Sequence, residues 1–247
     1  MLTLATVTPG QPEIFASLQG EGPSTGRPSV FLRLSRCNLA CEWCDTAYTW
    51  HFTGDNRPHR ASRTFDRASN QLTLEEDDVA ARILALDPHR LVITGGEPLL
   101  QGAALARLVA TLKTARPDLH VEIETNGSVG AHPALDRLVD QYNVSPKLAH
   151  SGNPRDLALI PERLETYARD ERAWFKFVIA NPDEVNEVSR IVDNHKIPGG
   201  RIYLMPEGTE SDTIRARMTW LAPICQAHNW RLSDRLHIHI YGQERGK

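Results

Sequence analysis

The chain lacks the features that mark several large classes of protein. No apolar run reaches the length of about eighteen residues that a membrane-spanning helix needs. The first residues, Met1 to Ala5, lack the charged and apolar regions of a secretory signal. Only four cysteines occur in 247 residues, and three of them are clustered, an odd set that argues against a disulfide framework and fits a reducing compartment. We therefore expect a cytoplasmic protein that does not enter a membrane.

The chain also carries no excess of positive charge. The formal net charge is −3, and no run of Lys and Arg forms a local basic patch, so we expect no nucleic-acid partner. The apolar fraction of 40% and the charged fraction of 24% are those of an ordinary globule with a sizeable core. The length suits one large domain or two small ones.

What the chain does have is a cluster of three cysteines in Arg36-Cys37-Asn38-Leu39-Ala40-Cys41-Glu42-Trp43-Cys44-Asp45-Thr46, spaced C-x3-C-x2-C. Thiolates this close in sequence can converge on one soft metal centre. One candidate is zinc, with His51 as a fourth ligand. The other is an iron–sulfur cluster with three protein thiolates, which leaves one iron for a small molecule. The cysteine loop alone does not distinguish between the zinc site and the iron–sulfur cluster.

Strands and helices alternate along most of the chain. After a segment rich in Gly, Pro and Ser, in which we predict a tight loop near Gly20 and Gly22, strands are predicted at 29–35, 91–94, 120–124, 142–144, 174–179, 201–205 and 236–241. Helices are predicted at 73–87, where Thr73 and Glu76 would form a capping box, and at 99–115, 133–139, 154–170, 183–195 and 212–228. An irregular, polar surface insertion is predicted at about 51–71.

This alternation predicts an α/β fold: a partial (β/α) barrel of six to seven mostly parallel strands, formed by a single domain over residues 1–247. Polar clusters follow five of the strands, where a β/α barrel carries its chemistry. They are Arg36-Cys37, Gly95-Gly96-Glu97-Pro98, Thr125-Asn126-Gly127, Ser145-Pro146-Lys147 and Met205-Pro206-Glu207-Gly208. We expect all five clusters to share one rim beside an open cleft.

The cysteine spacing after the first strand, combined with the Gly-Gly-Glu-Pro loop after the second, resembles the radical S-adenosylmethionine (SAM) superfamily over about residues 29–241. The resemblance implies a [4Fe-4S] cluster on Cys37, Cys41 and Cys44 and a bound SAM whose amino group is held by the Gly-Gly-Glu loop. The radical arises on the cofactor, so no side chain is assigned a catalytic role. The predicted SAM contacts are Trp43, Cys44, Asp45, Gly95, Gly96, Glu97, Ser145, Pro146, Lys147, Met205, Pro206, Glu207 and Gly208.

The flanking residues, Phe15 to Gly22, Phe31 to Leu34 and Cys37 to Thr46, look like those of the 7-carboxy-7-deazaguanine synthases within this superfamily. That resemblance implies a lyase acting on a carboxylated tetrahydropterin, with Mg²⁺ bound by Thr46. It also implies a flavodoxin- or ferredoxin-type electron donor and a homodimer. The predicted substrate contacts are Leu18, Gln19, Gly20, Glu21, Arg33 and Thr94.

Two other functions remain open at this point. A glycyl-radical activating enzyme shares both motifs, although Gln19 to Gly22 together with Arg33 weigh against it. A non-enzymatic zinc-binding module is the second alternative. Individual residues also have structural readings: Arg33 in an internal ion pair, Thr46 as a turn hydroxyl that satisfies a backbone N–H, and Lys147 as a solvated lysine.

Overall fold

The structure, a computed structural model, describes residues 1–247. Its strands are β1 (Leu2–Thr8), β2 (Gln11–Pro12), β3 (Ile14–Leu18), β4 (Pro28–Leu34), β5 (Gln71–Leu74), β6 (Arg90–Gly95), β7 (His120–Thr125), β8 (Gln141–Val144), β9 (Ala173–Ile179), β10 (Ile202–Pro206) and β11 (Arg231–Leu232). Its helices are α1 (Arg67–Asn70), α2 (Glu76–Leu84), α3 (Gly102–Ala115), α4 (Pro133–Asp136), α5 (Arg155–Ala158), α6 (Pro161–Arg169), α7 (Val185–His195), α8 (Ser211–His228) and α9 (Leu236–Tyr241). None of these helices has the length and apolar character needed to cross a bilayer.

The centre of the fold is a run of seven parallel strands in the order β4, β6, β7, β8, β9, β10 and β11. β6 is buried over Leu91, Val92 and Ile93, the continuous apolar run of a strand that is covered on both faces. The register aligns Arg33 of β4 with Thr94 of β6, so polar residues near the carboxyl ends of neighbouring strands lie side by side. The predicted partial barrel of mostly parallel strands is confirmed.

The sheet does not close by strand pairing. β3 pairs with β4 at one side, and β11 is the last strand at the other. Hydrogen bonds from loops join the two sides instead: Leu236 N–H donates to the Gly20 carbonyl at 2.9 Å, and Gly22 N–H donates to Ser233 Oγ at 2.9 Å. The segment Gly20 to Gly22 thus closes the open side of the barrel.

Four antiparallel strands were not predicted. β1 pairs with β2, β4 and β5, and β3 pairs with β4. Apart from the tight loop near Gly20 and Gly22, no structure was predicted for the N-terminal segment, because its Gly and Pro content received more weight than the alternation in β1, where Leu2 and Leu4 are fully buried. β3 delivers the chain directly to Gln19 and Gly20.

Two predictions of local structure were wrong. The capping box at Thr73 does not form, because Thr73 lies in β5, paired with Thr3. The carboxylate of Glu76 instead accepts a hydrogen bond from the Met1 amino group at 2.7 Å. Residues 236–241, predicted as the last strand, form α9, and the parallel strand at this side is β11.

The segment from His51 to Asp66 has no strand or α-helix. Its ends meet in a single bridge between Phe52 and Phe65, and α1 follows. Its first residues, His51 and Phe52, are buried, whereas Arg57, Arg60 and most of their neighbours are exposed. The segment therefore packs against the body of the protein through its ends, and in its middle through His59 and Arg60, which contact the Cys44 and Glu42 carbonyls.

Candidate active site

One cavity opens at the carboxyl ends of the parallel strands. All five polar clusters contribute to its wall, because parallel strands present their carboxyl ends on the same rim. Most of the predicted site residues line it: Leu18, Gln19, Gly20, Glu21, Arg33, Cys37, Cys41, Trp43, Cys44, Asp45, Thr46, Thr94, Gly95, Gly96, Ser145, Lys147, Met205, Glu207 and Gly208. The three that do not are Glu97, Pro146 and Pro206.

The cysteine loop begins where β4 ends. Arg36 turns the chain with a φ of 81°, and its N–H donates to the Thr49 carbonyl at 2.7 Å, which fixes the base of the loop. The three loop cysteines form no disulfide and all line the cavity. The loop therefore presents three sulfurs to one space.

The surroundings of these sulfurs fit metal-bound thiolates. The Trp50 indole N–H donates to Cys44 Sγ at 3.3 Å, and the Asn153 amide donates to Cys41 Sγ at 3.2 Å. Such N–H donors stabilise thiolate ligands. Burial raises the pKa of Cys44 to about 11, so a thiolate there requires a positive centre beside it.

The residues do not form a closed zinc site. No group of three or more His, Cys, Asp or Glu side chains is arranged to hold a single metal ion. His51, the proposed fourth ligand, is buried beside the Trp50 ring at a centroid distance of 4.9 Å, and its Nδ1 has no partner. A multi-atom cluster, by contrast, does not require its ligands to meet at one point.

Gly95 and Gly96, at the end of β6, allow the Gly-Gly loop and the cysteine loop to lie against each other. If Gly95 carried a Cβ atom, that atom would lie 2.0 Å from the Leu34 carbonyl oxygen. A Cβ atom on Gly96 would lie 2.1 Å from the Arg36 carbonyl oxygen. Gly96 N–H donates to the Leu34 carbonyl at 3.1 Å, and Glu97 N–H donates to the Arg36 carbonyl at 2.9 Å. The glycines thus allow the loop after β6 to pack on the start of the cysteine loop, while their other side lines the cavity.

Gly96→Ala should therefore impair cluster binding. The added methyl group would push against the Arg36 backbone and Cys37 Cβ, and we expect iron affinity to fall by about tenfold or more, the range for a displaced ligand support. Iron and acid-labile sulfide after anaerobic reconstitution provide the measurement. Gly200→Ala is the matched control, because nothing lies within 4 Å of its Cβ position. Equal iron in both variants would contradict this role of Gly96.

Glu97 does not line the cavity, and the predicted contact of its carboxylate with a bound ammonium group stays a prediction. The side chain is fully buried and accepts hydrogen bonds from Leu99 N–H at 3.0 Å, Asn126 N–H at 2.8 Å and Thr125 Oγ at 2.9 Å. Burial raises the pKa of Glu97 to about 7, although these donors lower it. Glu97 therefore anchors the turn after β7 against the Gly-Gly loop.

Two further predicted SAM contacts, Pro146 and Pro206, also stay predictions. Both are buried but absent from the cavity wall. Proline has no N–H to offer a ligand, and each lies between residues that do reach the cavity. Their place is in the turns that carry Ser145, Lys147 and Glu207.

Arg33 faces the cavity and is also part of an ion pair. Its Nε donates to Glu13 Oε1 at 2.8 Å, and Glu13 also accepts from the Tyr48 hydroxyl at 2.9 Å. The two Nη groups of Arg33 make no hydrogen bond to the protein, and its side chain is 18% exposed. The structural ion pair thus orients Arg33 and leaves the end of its guanidinium available to a ligand.

Two carboxylates of β7, Glu122 and Glu124, share the Gln19 amide as their hydrogen-bond donor. The Gln19 amide donates to Glu122 at 2.8 Å and to Glu124 at 3.1 Å, so both of its N–H groups are used within the protein. Thr94 Oγ donates to Glu124 at 2.9 Å. Glu124 lines the cavity and is therefore the acceptor that this network presents to a ligand.

Glu21 lies between two buried cations. Its carboxylate pairs with Lys176 Nζ and accepts from Arg235 Nε at 2.9 Å, and Arg235 also pairs with Asp45 of the cysteine loop. Burial alone would raise the pKa of Glu21, but the charges of Lys176 and Arg235 outweigh it and hold the pKa well below its usual range. The carboxylate is therefore ionised in the folded protein.

On the opposite wall, Lys147 Nζ donates to Ser145 Oγ at 2.8 Å and lies 5.7 Å from the centre of the Trp43 ring. Lys147 lines the cavity and is partly buried. Trp43 stacks on His150 at a centroid distance of 5.4 Å, which fixes the ring. Glu207 is held by Arg60 at 3.1 Å and by Arg217 at 2.5 Å. These contacts give the wall a fixed arrangement of charges.

Several cavity residues were not predicted. Lys176 carried the same signal as Arg33, a charged residue inside an apolar strand. Phe15 and Phe31 line the cavity, and their rings stack at 5.2 Å. Arg235 and His237 gave no usable local signal, because residues 236–241 read as a strand and the partners of Arg235 lie 190 and 214 positions away.

Comparison with known proteins agrees with this geometry. The family model "Radical SAM superfamily" matches residues 32–218. A 7-carboxy-7-deazaguanine synthase of Pyrobaculum aerophilum is 40% identical over 95% of this chain and 96% of its own length. The synthases of Hyperthermus butylicus and Rhodopirellula baltica are 39% and 32% identical, with 91% and 87% of their lengths covered.

Solved structures agree as well. The crystal structure of QueE from Escherichia coli matches with a TM-score of 0.65 and 26% identity over 95% of both chains. Streptococcus suis SuiB, solved with its precursor peptide SuiA, matches with a TM-score of 0.52 and 13% identity over 83% of this chain and 47% of its own. At that identity, the second likeness concerns the fold alone.

Proposed function

The chain belongs to the radical SAM superfamily and, within it, to the 7-carboxy-7-deazaguanine synthase family, and on this basis we propose its reaction. It is a lyase that converts 6-carboxy-5,6,7,8-tetrahydropterin into 7-carboxy-7-deazaguanine, with release of ammonia, in queuosine and 7-deazapurine biosynthesis. One observation carries the proposal. The cysteine loop, the Gly-Gly loop and the predicted pterin contacts all line a single cavity.

Superfamily membership implies a [4Fe-4S] cluster and SAM, and the buried thiols with their N–H donors fit this cluster. When bound, the two groups supply the radical chemistry of the reaction. We assign Cys37, Cys41 and Cys44 to the cluster. Of the proposed SAM contacts, Glu97, Pro146 and Pro206 lie in loops that reach the cavity through their neighbours. The others line the cavity themselves: Trp43, Cys44, Asp45, Gly95, Gly96, Ser145, Lys147, Met205, Glu207 and Gly208.

The protein side chains bind and orient the pterin. Arg33, held by Glu13, directs its free Nη groups at the substrate carboxylate. Glu21 and Glu124 accept hydrogen bonds from N–H groups of the pyrimidine ring. Lys176 and Arg235 keep the Glu21 carboxylate ionised for this role. Leu18, Gln19, Gly20 and Thr94 complete this wall, and the hydrogen bonds of Gln19 and Thr94 fix Glu124 in place.

Thr46 is our proposed protein ligand for Mg²⁺. It lines the cavity, and its hydroxyl caps no backbone N–H, so the turn-hydroxyl reading does not account for it. A single hydroxyl is a weak Mg²⁺ ligand, and substrate oxygens and waters must complete the octahedron. The site is thus built jointly by the protein and the substrate.

Thr46→Val should remove the Mg²⁺ dependence of turnover. Valine keeps the shape of threonine without the hydroxyl, so we expect product formation at saturating Mg²⁺ to fall by about tenfold or more, while iron content stays at the wild-type level. Thr46→Ser retains the hydroxyl and should keep a Mg²⁺ response. A Thr46→Val enzyme with a wild-type Mg²⁺ titration would rule out this ligand.

The reaction is tested on anaerobically reconstituted protein with SAM, Mg²⁺, a chemical reductant and the carboxylated pterin. We expect 7-carboxy-7-deazaguanine and ammonia in equal amounts. Cleavage of SAM without deazaguanine would refute the proposed substrate. A glycyl-radical activating enzyme would instead leave the pterin unchanged and place its radical on a partner protein.

Three further assignments are proposals from the family resemblance. The electron donor is a flavodoxin- or ferredoxin-type protein, the chain forms a homodimer, and it acts in the cytoplasm. The free thiols of the cavity support a reducing location. Exposed apolar residues on α9, Ile240 and Tyr241, are candidates for the dimer contact, which sedimentation of wild type beside Ile240→Glu would test.

A further inference from the structure

Arg235 is a buried cation in the loop between β11 and α9. Its side chain is only 9% exposed, and it lines the cavity. A buried charge is costly unless it is paired and hydrogen-bonded. All three nitrogens of this guanidinium donate a hydrogen bond within the protein. The contacts of Arg235 are therefore extensive enough to define its place in the fold.

The three acceptors of Arg235 lie on three different loops. Its Nε donates to Glu21 Oε1 at 2.9 Å, its Nη1 donates to the Gly208 carbonyl, and its Nη2 donates to the Asp45 carboxylate. Glu21 is one of the proposed pterin contacts, and Asp45 directly follows Cys44 in the cysteine loop. Gly208 belongs to the loop after β10, among the proposed SAM contacts. One side chain thus joins the residues proposed for the pterin, the cluster and SAM.

The backbone on either side of Arg235 is anchored to both edges of the open barrel. Ser233 N–H donates to the Leu204 carbonyl of β10 at 2.8 Å, and Leu236 N–H donates to the Gly20 carbonyl at 2.9 Å. The chain is therefore held just before and just after Arg235. This anchoring allows the guanidinium to fix the positions of its three acceptors relative to one another.

We propose that Arg235 is a positioning residue that holds the pterin contacts in place relative to the cysteine loop and the loop after β10, so that SAM cleavage is coupled to conversion of the pterin. The inference rests on the proposed function. Reacting atoms must lie about 3–3.5 Å apart, and a misplacement of about 1 Å can cost about 100-fold in rate. A shift of these loops should therefore slow conversion of the pterin more than it slows SAM cleavage.

Uncoupled cleavage has a distinct product balance. Dithionite supplies the electron, and a C–H bond other than that of the pterin supplies the hydrogen that completes 5′-deoxyadenosine. Methionine and 5′-deoxyadenosine then accumulate without 7-carboxy-7-deazaguanine. The ratio of 5′-deoxyadenosine to deazaguanine therefore reports on positioning, whereas partial unfolding lowers both products together and leaves the ratio unchanged.

The test compares Arg235→Lys with wild type after anaerobic reconstitution, with SAM, Mg²⁺, the carboxylated pterin and dithionite. Lysine keeps the positive charge between Glu21 and Asp45, but its single ammonium group lacks the rigid planar fork of arginine and cannot hold three acceptors in fixed directions. We expect the ratio of 5′-deoxyadenosine to deazaguanine to rise by about tenfold or more, with iron content at the wild-type level.

Arg201→Lys is the matched control. The Arg201 guanidinium also donates to three acceptors, the backbone carbonyls of Ala168, Asp170 and Ala173, but Arg201 does not line the cavity. Its replacement by lysine removes the same kind of contact between α6 and the start of β9. The product ratio of this variant should equal that of wild type, even where its stability is lower.

Asp45→Ala removes only one of the three contacts, at a side chain that is 35% exposed, and should raise the ratio by less than Arg235→Lys does. The double variant should show no higher ratio than Arg235→Lys alone, because the two residues act through one contact. A wild-type ratio in both single variants would overturn the proposal, and so would an iron-free Arg235→Lys beside a wild-type ratio in Asp45→Ala. Absence of deazaguanine from the wild-type reaction would instead refute the proposed function.

Discussion

Cys41→Ala should leave the reconstituted protein without a [4Fe-4S] cluster and without SAM cleavage. The variant keeps two of the three clustered thiols and leaves the Asn153 amide, now 3.2 Å from Cys41 Sγ, without its acceptor. We expect turnover to fall by more than the roughly 100-fold that the loss of a ligand's hydrogen-bond partner can cause. Iron, acid-labile sulfide and 5′-deoxyadenosine are measured on the same sample.

The chain provides its own control in Cys225. This fourth cysteine is buried in α8, does not line the cavity, and has its sulfur 3.6 Å from the Arg231 carbonyl. Cys225→Ala should retain iron and turnover and lose only about 1 kcal/mol of stability, an average cost for one substitution. An iron-replete Cys41→Ala beside an iron-free Cys225→Ala would reverse our assignment of the ligands.

Sequence patterns were sufficient for six of the seven parallel strands, all except β11. Strands such as Leu91-Val92-Ile93 are short apolar runs that read the same way in any α/β protein. Polar residues directly after such strands must share a rim, whatever the details of packing. The convergence of the cysteine, Gly-Gly and Ser145 loops on one cavity therefore followed from order along the chain alone.

The parts that were missed depend on partners distant in sequence. β1 becomes a strand because β5, more than sixty residues later, pairs with it. Residues 236–241 alternate like a strand, yet they form a helix. The N–H of its first residue, Leu236, donates to the Gly20 carbonyl. The local pattern of apolar residues does not reveal the pairing of β1 with β5 or the contact of Leu236 with Gly20. Such tertiary contacts override weak local preferences for strand or helix.

The Gly-Gly-Glu loop shows the same limit inside the site. The sequence correctly predicted that the backbone of Gly95 and Gly96 lies beside the cavity. It did not determine whether the Glu97 side chain points into the cavity or away from it. Its orientation is decided by three donors, two of them on Thr125 and Asn126 of the turn after β7. A motif thus predicts a location well and the direction of a single side chain poorly.

The largest effect on stability is expected for Glu21→Gln. Glu21 is the shared partner of Lys176 and Arg235, and these contacts lie where Gly20 and Gly22 close the open side of the barrel. Replacing one member of a buried ion pair leaves the other charges uncompensated, which costs about 3–5 kcal/mol. We expect that loss in the free energy of unfolding by urea at pH 7, whereas Glu165→Gln, which breaks an exposed pair with Arg169 at 3.9 Å, should cost at most about 1 kcal/mol.

The pH dependence separates this charge effect from lost packing. Because the folded protein holds the pKa of Glu21 below its ordinary value of 4.5, the stabilisation is complete above that value and is lost as the pH falls toward the folded pKa. The difference between wild type and Glu21→Gln should therefore be constant from pH 7 to about 5 and narrow below pH 4.5. A difference that stays unchanged at low pH would mean that Glu21 stabilises the barrel closure by shape and hydrogen bonding, and not by its charge.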